Sequence, residues 1–243
     1  MRKVLLTALF IAMCTMAMAK KNLRDKIDFT QKYFDITWAF PEDFKAEEWY
    51  RGEEIYSTMV PSKGGSGAGN VYWMGAMSAD RNCRLLYQST MILASTMAPE
   101  KNTVFSTFVE HELYCAVNGR DTQGHNKAKM KPEWNKYLTI MSGEEARTAH
   151  NADSVYVVDF PNVSERFATG YNHCIGFYMV KADHLPIILM CLLNDAGYQQ
   201  KDKYIQAVRQ AVRFGDRKSV YNKKASKAFN KIQSKDRKWM YSE

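Results

Sequence analysis

Apolar and polar positions along the chain change rhythm several times, and each change predicts an element. Residues 34–40 alternate and stop at Pro41-Glu42-Asp43, a strand followed by a chain reversal; a second short strand is expected over 55–60. Residues 71–79 and 84–94 predict two longer strands joined by a hairpin turn at Asp80-Arg81-Asn82-Cys83. A helix opens at Pro99-Glu100 and carries Val104, Phe105, Phe108, Val109 and Ala116 at helical spacing up to Gly119. Beyond a polar loop at 121–131, Pro132-Glu133-Trp134 starts another short element. Ser142-Gly143-Glu144-Glu145 fits a capping box for a short helix over 143–149, and residues 154–160 form a strand closed by Pro161. A helix over 202–214, with Tyr204, Ile205, Val208, Ala211 and Val212 along one side, ends the body.

Residues 171–180 and 185–193 break the pattern, being apolar on odd and even positions alike. A strand with one wet face alternates, so these two are expected to be covered on both faces. The fold class expected is α/β (α+β): a central, mainly antiparallel sheet with helices on both faces, a three-layer α/β/α sandwich. The strand Phe34-Asp35-Ile36-Thr37-Trp38-Ala39-Phe40 running into Pro41, a later two-strand hairpin and a closing helix ending in Val212-Arg213-Phe214 resemble, in element order, the sandwich superfamily of PsbP and the Mog-type Ran-binding proteins. The resemblance covers roughly residues 30–215 and implies the layered fold only, since its members share no single activity.

The two ends read differently from the body. Arg2 and Lys3 precede an apolar stretch too short to span a bilayer, and Ala17-Met18-Ala19 offers small residues for cleavage, so residues 1–19 are expected to be an export signal peptide and the mature chain to begin at Lys20. A lipoprotein signal through Cys14 is the second reading, weakened by Met13 in the preceding position. The net charge of +8 is not spread evenly: residues 217–243 hold nine basic and two acidic side chains. Without residues 1–19 the body, residues 20–216, is close to neutral, which excludes a basic nucleic-acid surface across a single 20–216 domain. Tyr221, Ala225, Ala228, Phe229 and Ile232 share a helical face in the basic tail, which lies on the body, lies against an anionic envelope surface or stays solvated.

Candidate chemistry is sparse. The glycine-rich stretch at 62–70 lacks the lysine and spacing of a phosphate-binding loop and reads as a flexible rim beside Tyr72 and Trp73, the two candidates for a ligand groove. Trp38, Trp134, Tyr171, Phe177 and Tyr178 are the other aromatic candidates, most of them expected in the core. The mature chain has four cysteines, Cys83, Cys115, Cys174 and Cys191. If Val180 faces Leu185 across the turn, Cys174 sits opposite Cys191, which leaves both a disulfide and two packed thiols open. Cys174 and the adjacent His173 point to opposite faces of a strand and do not form a nucleophile–base pair.

On the helix expected at 100–119, His111, Glu112 and Cys115 fall inside the arc of its apolar positions. His111 and Glu112 are the catalytic candidates; His111 and Cys115, four residues apart, are the metal candidates, with His125 or His150 able to complete a set. The same placement suits a histidine satisfied by a carbonyl, an edge glutamate and a packed thiol. No cofactor is indicated. The reading that follows is an exported, periplasmic or extracellular, non-enzymatic domain binding a protein, peptide or envelope component. The alternative is a small envelope hydrolase or metal-dependent enzyme using His111 and Glu112.

Overall fold

The computed structural model describes residues 24–47, 72–88, 136–160 and 170–220. Residues 24–29 are helical and pass into a π-helical turn, Thr30–Phe34, which ends where Asp35 takes a left-handed conformation (φ 57°). Among the described residues nine strands follow: β1 (Ile36–Trp38), β2 (Phe44–Glu47), β3 (Tyr72–Ser78), β4 (Cys83–Gln88), β5 (Leu138–Ser142), β6 (Ser154–Phe160), β7 (His173–Val180), β8 (Ile187–Leu193) and β9 (Val212–Phe214). Interspersed with these strands are α1 (Glu144–His150), α2 (Asp195–Gln199) and α3 (Lys201–Ala211). Seven strands form one sheet in the order β2-β3-β4-β8-β7-β6-β5, antiparallel at every pairing, while β1 and β9 make a separate two-stranded ribbon. The fold is thus mixed α/β around a large antiparallel sheet, as the apolar pattern led us to expect.

Both faces of the central strands are buried. On β8, Ile187, Leu189, Cys191 and Leu193 join the main core with Ile175, Phe177 and Met179 of β7. Ile188, Met190 and Leu192 face a second cluster with Cys174, Tyr178, Phe160 and Leu86. That doubled burial explains the unbroken apolar runs, since each such side chain removed from water stabilises the fold by about 1.5–3 kcal/mol. Ala146 of α1 and Tyr204 and Val208 of α3 pack into the main core, so these helices cover that face. No described helix is long and apolar enough to cross a membrane.

Several expectations need correction. Phe34 belongs to the π-helical turn, so the first strand shortens to β1, and its partner is β9. The final helix stops at Ala211, and Val212 turns extended (φ −145°) to lead β9. Val208, Ala211 and Val212 satisfy a helical period, but the buried-exposed-buried order of Val212, Arg213 and Phe214 also suits a strand, and pairing with β1 decides for it. The N-cap of α1 is Gly143, one residue beyond the serine expected to cap it. Ser142 ends β5 opposite Ser154, Gly143 (φ 62°) makes the turn as N-cap without a side-chain hydrogen bond, and Glu145 binds Arg209 at 2.9 Å instead. The hairpin turn between β3 and β4 is present, with Arg81 left-handed (φ 59°) and Asp80 accepting from Ser78 at 2.6 Å and from the Asn82 N–H at 3.1 Å.

The β7–β8 register is one residue away from that expected: Cys174 stands opposite Leu192, and Ile175 opposite Cys191. The connection runs from Lys181 through Pro186, held by His184 N–H to the Lys181 carbonyl at 3.2 Å and by left-handed Asp183 (φ 57°), and it buries His184 and Leu185 before β8 begins. A slip of one residue reverses the face of every side chain. Cys174 therefore lies in the second cluster and Cys191 in the main core, with the sheet between them, and both are free thiols.

Candidate functional site

Asn194, directly after β8, caps α2 by accepting the Gly197 N–H at 2.8 Å, and its amide donates to Asn82 Oδ1 at 2.9 Å. α2 is thereby anchored to the β3–β4 turn, and its first residue, Asp195, is carried to the start of β7, where His173 pairs with Leu193. His173 Nε2 and Asp195 Oδ1 are 2.9 Å apart, and Asn172 Nδ2 donates to the same oxygen at 3.4 Å. The hydrogen bonds from His173 and Asn172 hold the Asp195 carboxyl below its usual range. In the neutral ring Nε2–H donates to the carboxylate, which leaves Nδ1 as the acceptor.

The ring of Tyr198, on α2, stacks on His173 with centroids 4.1 Å apart and planes 11° from parallel. Tyr198 donates its hydroxyl to Asp159 Oδ2 of β6 at 2.7 Å, and Lys201 Nζ, at the start of α3, reaches that oxygen at 2.7 Å. Lys201 Nζ also lies 4.6 Å from the Tyr198 ring centroid. Burial, then the bond to Asp159, raises the Tyr198 pKa and keeps the phenol protonated. The bond to Asp159 raises that of Lys201 and keeps it cationic. His173, Asp159 and Lys201 are 31%, 32% and 37% exposed, so the group presents a cation, two carboxylates and a stacked aromatic pair to solvent while packing fixes their geometry. It can offer donors, acceptors and a flat ring face to a polar partner at small entropic cost.

Two further polar clusters serve the fold. Burial opposes ionisation of Asp80, but hydrogen bonds from Ser78, the Asn82 backbone, Tyr204 (2.8 Å) and Lys203 outweigh it and hold the carboxyl far below its usual range. Burial and that same carboxylate push the Tyr204 phenol well up. At the ribbon, the Gly215 N–H donates to the Asp35 carbonyl at 2.6 Å, and Asn151 Nδ2 reaches the carbonyls of Phe214 (3.0 Å) and Gly215 (2.8 Å).

The catalytic and metal candidates His111, Glu112 and Cys115, together with His125, Trp134, the leader with Cys14 and the tail beyond Val220, lie outside the described residues. Among the described residues no three histidine, cysteine or acidic side chains converge as a metal set. Tyr72 and Trp73 sit on β3, with side chains outside the described set. Tyr171, Phe177 and Tyr178 are core, and Trp38 packs edge-on against Tyr87 at 4.8 Å. His150 is buried with Nδ1 on the Val212 carbonyl at 2.9 Å. His173 and Cys174 do face opposite ways. Sequence reasoning passed over Asp159, Asp195, Tyr198 and Lys201; the one signal was Asn194 as a helix cap directly behind an apolar strand. No protein-family model matches the chain, and neither does any curated protein or solved structure.

Proposed function

We propose that this chain is an exported, non-enzymatic domain that binds a protein, peptide or envelope component in the periplasm or outside the cell. The observation that carries the reading is the half-exposed patch of His173, Tyr198, Lys201, Asp159 and Asp195, fixed at the end of a sheet buried on both faces. Preorganised aromatic and charged groups of this kind form the productive centre of a recognition surface. The leader at 1–19 supports export, and the basic residues beyond 216 support a peripheral contact with anionic envelope material. The second buried cluster supports a third layer over the sheet, and with it the sandwich architecture of the PsbP-like and Mog-type superfamily.

The test is a photo-crosslinking residue placed at exposed Asn172, within the patch, and in a control chain at exposed Thr148 on α1. In the producing cell the first is expected to yield an adduct of defined mass that the second does not. No adduct at Asn172, or equal labelling at both positions, overturns the reading.

A further inference from the structure

Cys83 opens β4 and Cys191 lies within β8, its neighbour in the sheet. The register sets Leu85 opposite Cys191 and Cys83 opposite Leu193, so the cysteines occupy diagonal positions on one face. Their sulfurs are 3.4 Å apart, both residues are 0% exposed, and neither takes part in the surface patch. Cys174 is on the other face, with its sulfur 3.9 Å from that of Met190.

From this geometry we propose that Cys83 and Cys191 are a disulfide-forming pair, oxidised when the folding chain meets the disulfide of a thiol–disulfide oxidoreductase. Closing 3.4 Å to a bond of about 2.05 Å needs a small rotation at each side chain, and Cys83, the first residue after the β3–β4 turn, is placed to yield. The Cys83 thiolate attacks one sulfur of the oxidant's disulfide, forming a mixed disulfide and releasing the other sulfur as thiolate. The Cys191 thiolate then attacks Cys83 and displaces the second oxidant sulfur. Two protons leave the pair, two electrons pass to the oxidant, and the oxidant departs as a dithiol.

Both sulfurs are sealed from solvent in the finished sheet, so the exchange belongs to folding, before β4 and β8 close. The bridge ties positions 108 residues apart and joins the N-terminal strands of the sheet to its late strands. Oxidation in the cell rests on the export reading, whereas the pairing itself does not.

The full chain, reduced and unfolded, is refolded in a glutathione redox buffer, alkylated, and digested with trypsin without reduction. The expected product is peptide 82–84 linked to peptide 182–201, lighter by two hydrogens than the separate pair, with Cys115 and Cys174 alkylated. Alkylated Cys83 and Cys191, or Cys191 linked to Cys115 or Cys174, overturns the pairing. A chain recovered from the cytoplasm with its leader uncleaved, yet forming the expected link on refolding, overturns export and leaves the pairing standing.

Discussion

His150 holds its place through one ring nitrogen. Nδ1–H donates to the Val212 carbonyl, while Nε2 is buried without a hydrogen-bond partner among the described residues. Burial, with Arg209 and Arg213 adding like charge, lowers the pKa below its ordinary 6.5, although the Val212 carbonyl works the other way. The unfolded chain therefore binds a proton that the folded chain refuses, and stability is full above about pH 6.5 and falls as the pH drops toward the folded value. Urea unfolding from about pH 7.5 to about pH 5.5 is expected to show His150 contributing a loss of up to about 1.4 kcal/mol. His150→Gln is expected to be less stable at the upper pH and to show a shallower slope; an unchanged slope refutes the assignment. The partly exposed His173 was noticed in the sequence only as a neighbour of Cys174, because a linear reading shows which strand a histidine is on but not which helix is folded back onto it.

Elements set at short range were the most legible. The β3–β4 hairpin, the short α1 helix and strands β6, β7 and β8 follow from turn residues and apolar runs that no other part of the chain needs to endorse. β2 and β5 were missed. They are the outer strands of the described sheet, and with Lys45 and Ala46 exposed and Ile140 52% exposed they lack the apolar density that marks a buried strand. The β7–β8 register went astray for a related reason: it depends on how many residues the connection consumes, and buried His184 and Leu185 look like ordinary strand and turn residues in the sequence. The position of α2 was equally illegible, because it rests on the β3–β4 turn. A Cβ on Gly197 would press into the backbone carbonyl of Asn82, which has no side-chain freedom with which to yield. Gly197→Ala is accordingly expected to cost about 1–3 kcal/mol in denaturant unfolding and to weaken crosslinking from the His173 patch. Full retention of both removes α2 from the account of the site.

Among the described strands most pairings join neighbours in sequence, but two are long-range, β4 with β8 and β1 with β9. The ribbon buries Ile36, Val212 and Phe214 in the main core and is held by Asn151, Asp35 and Lys181, whose Nζ donates to the Gly215 carbonyl. Truncation after Ala211 is therefore expected to abolish a cooperative thermal transition, whereas truncation after Val220, which keeps the ribbon, is expected to preserve it. Circular dichroism melts of the two chains decide this, and a sharp transition in the shorter one shows that the ribbon is dispensable.

That ribbon also orders events in time. Ile36 cannot find Phe214 until β9 has been synthesised, so the nascent chain lacks that piece of its core until then. A core that closes only when β9 arrives keeps every shorter nascent chain short of its native packing.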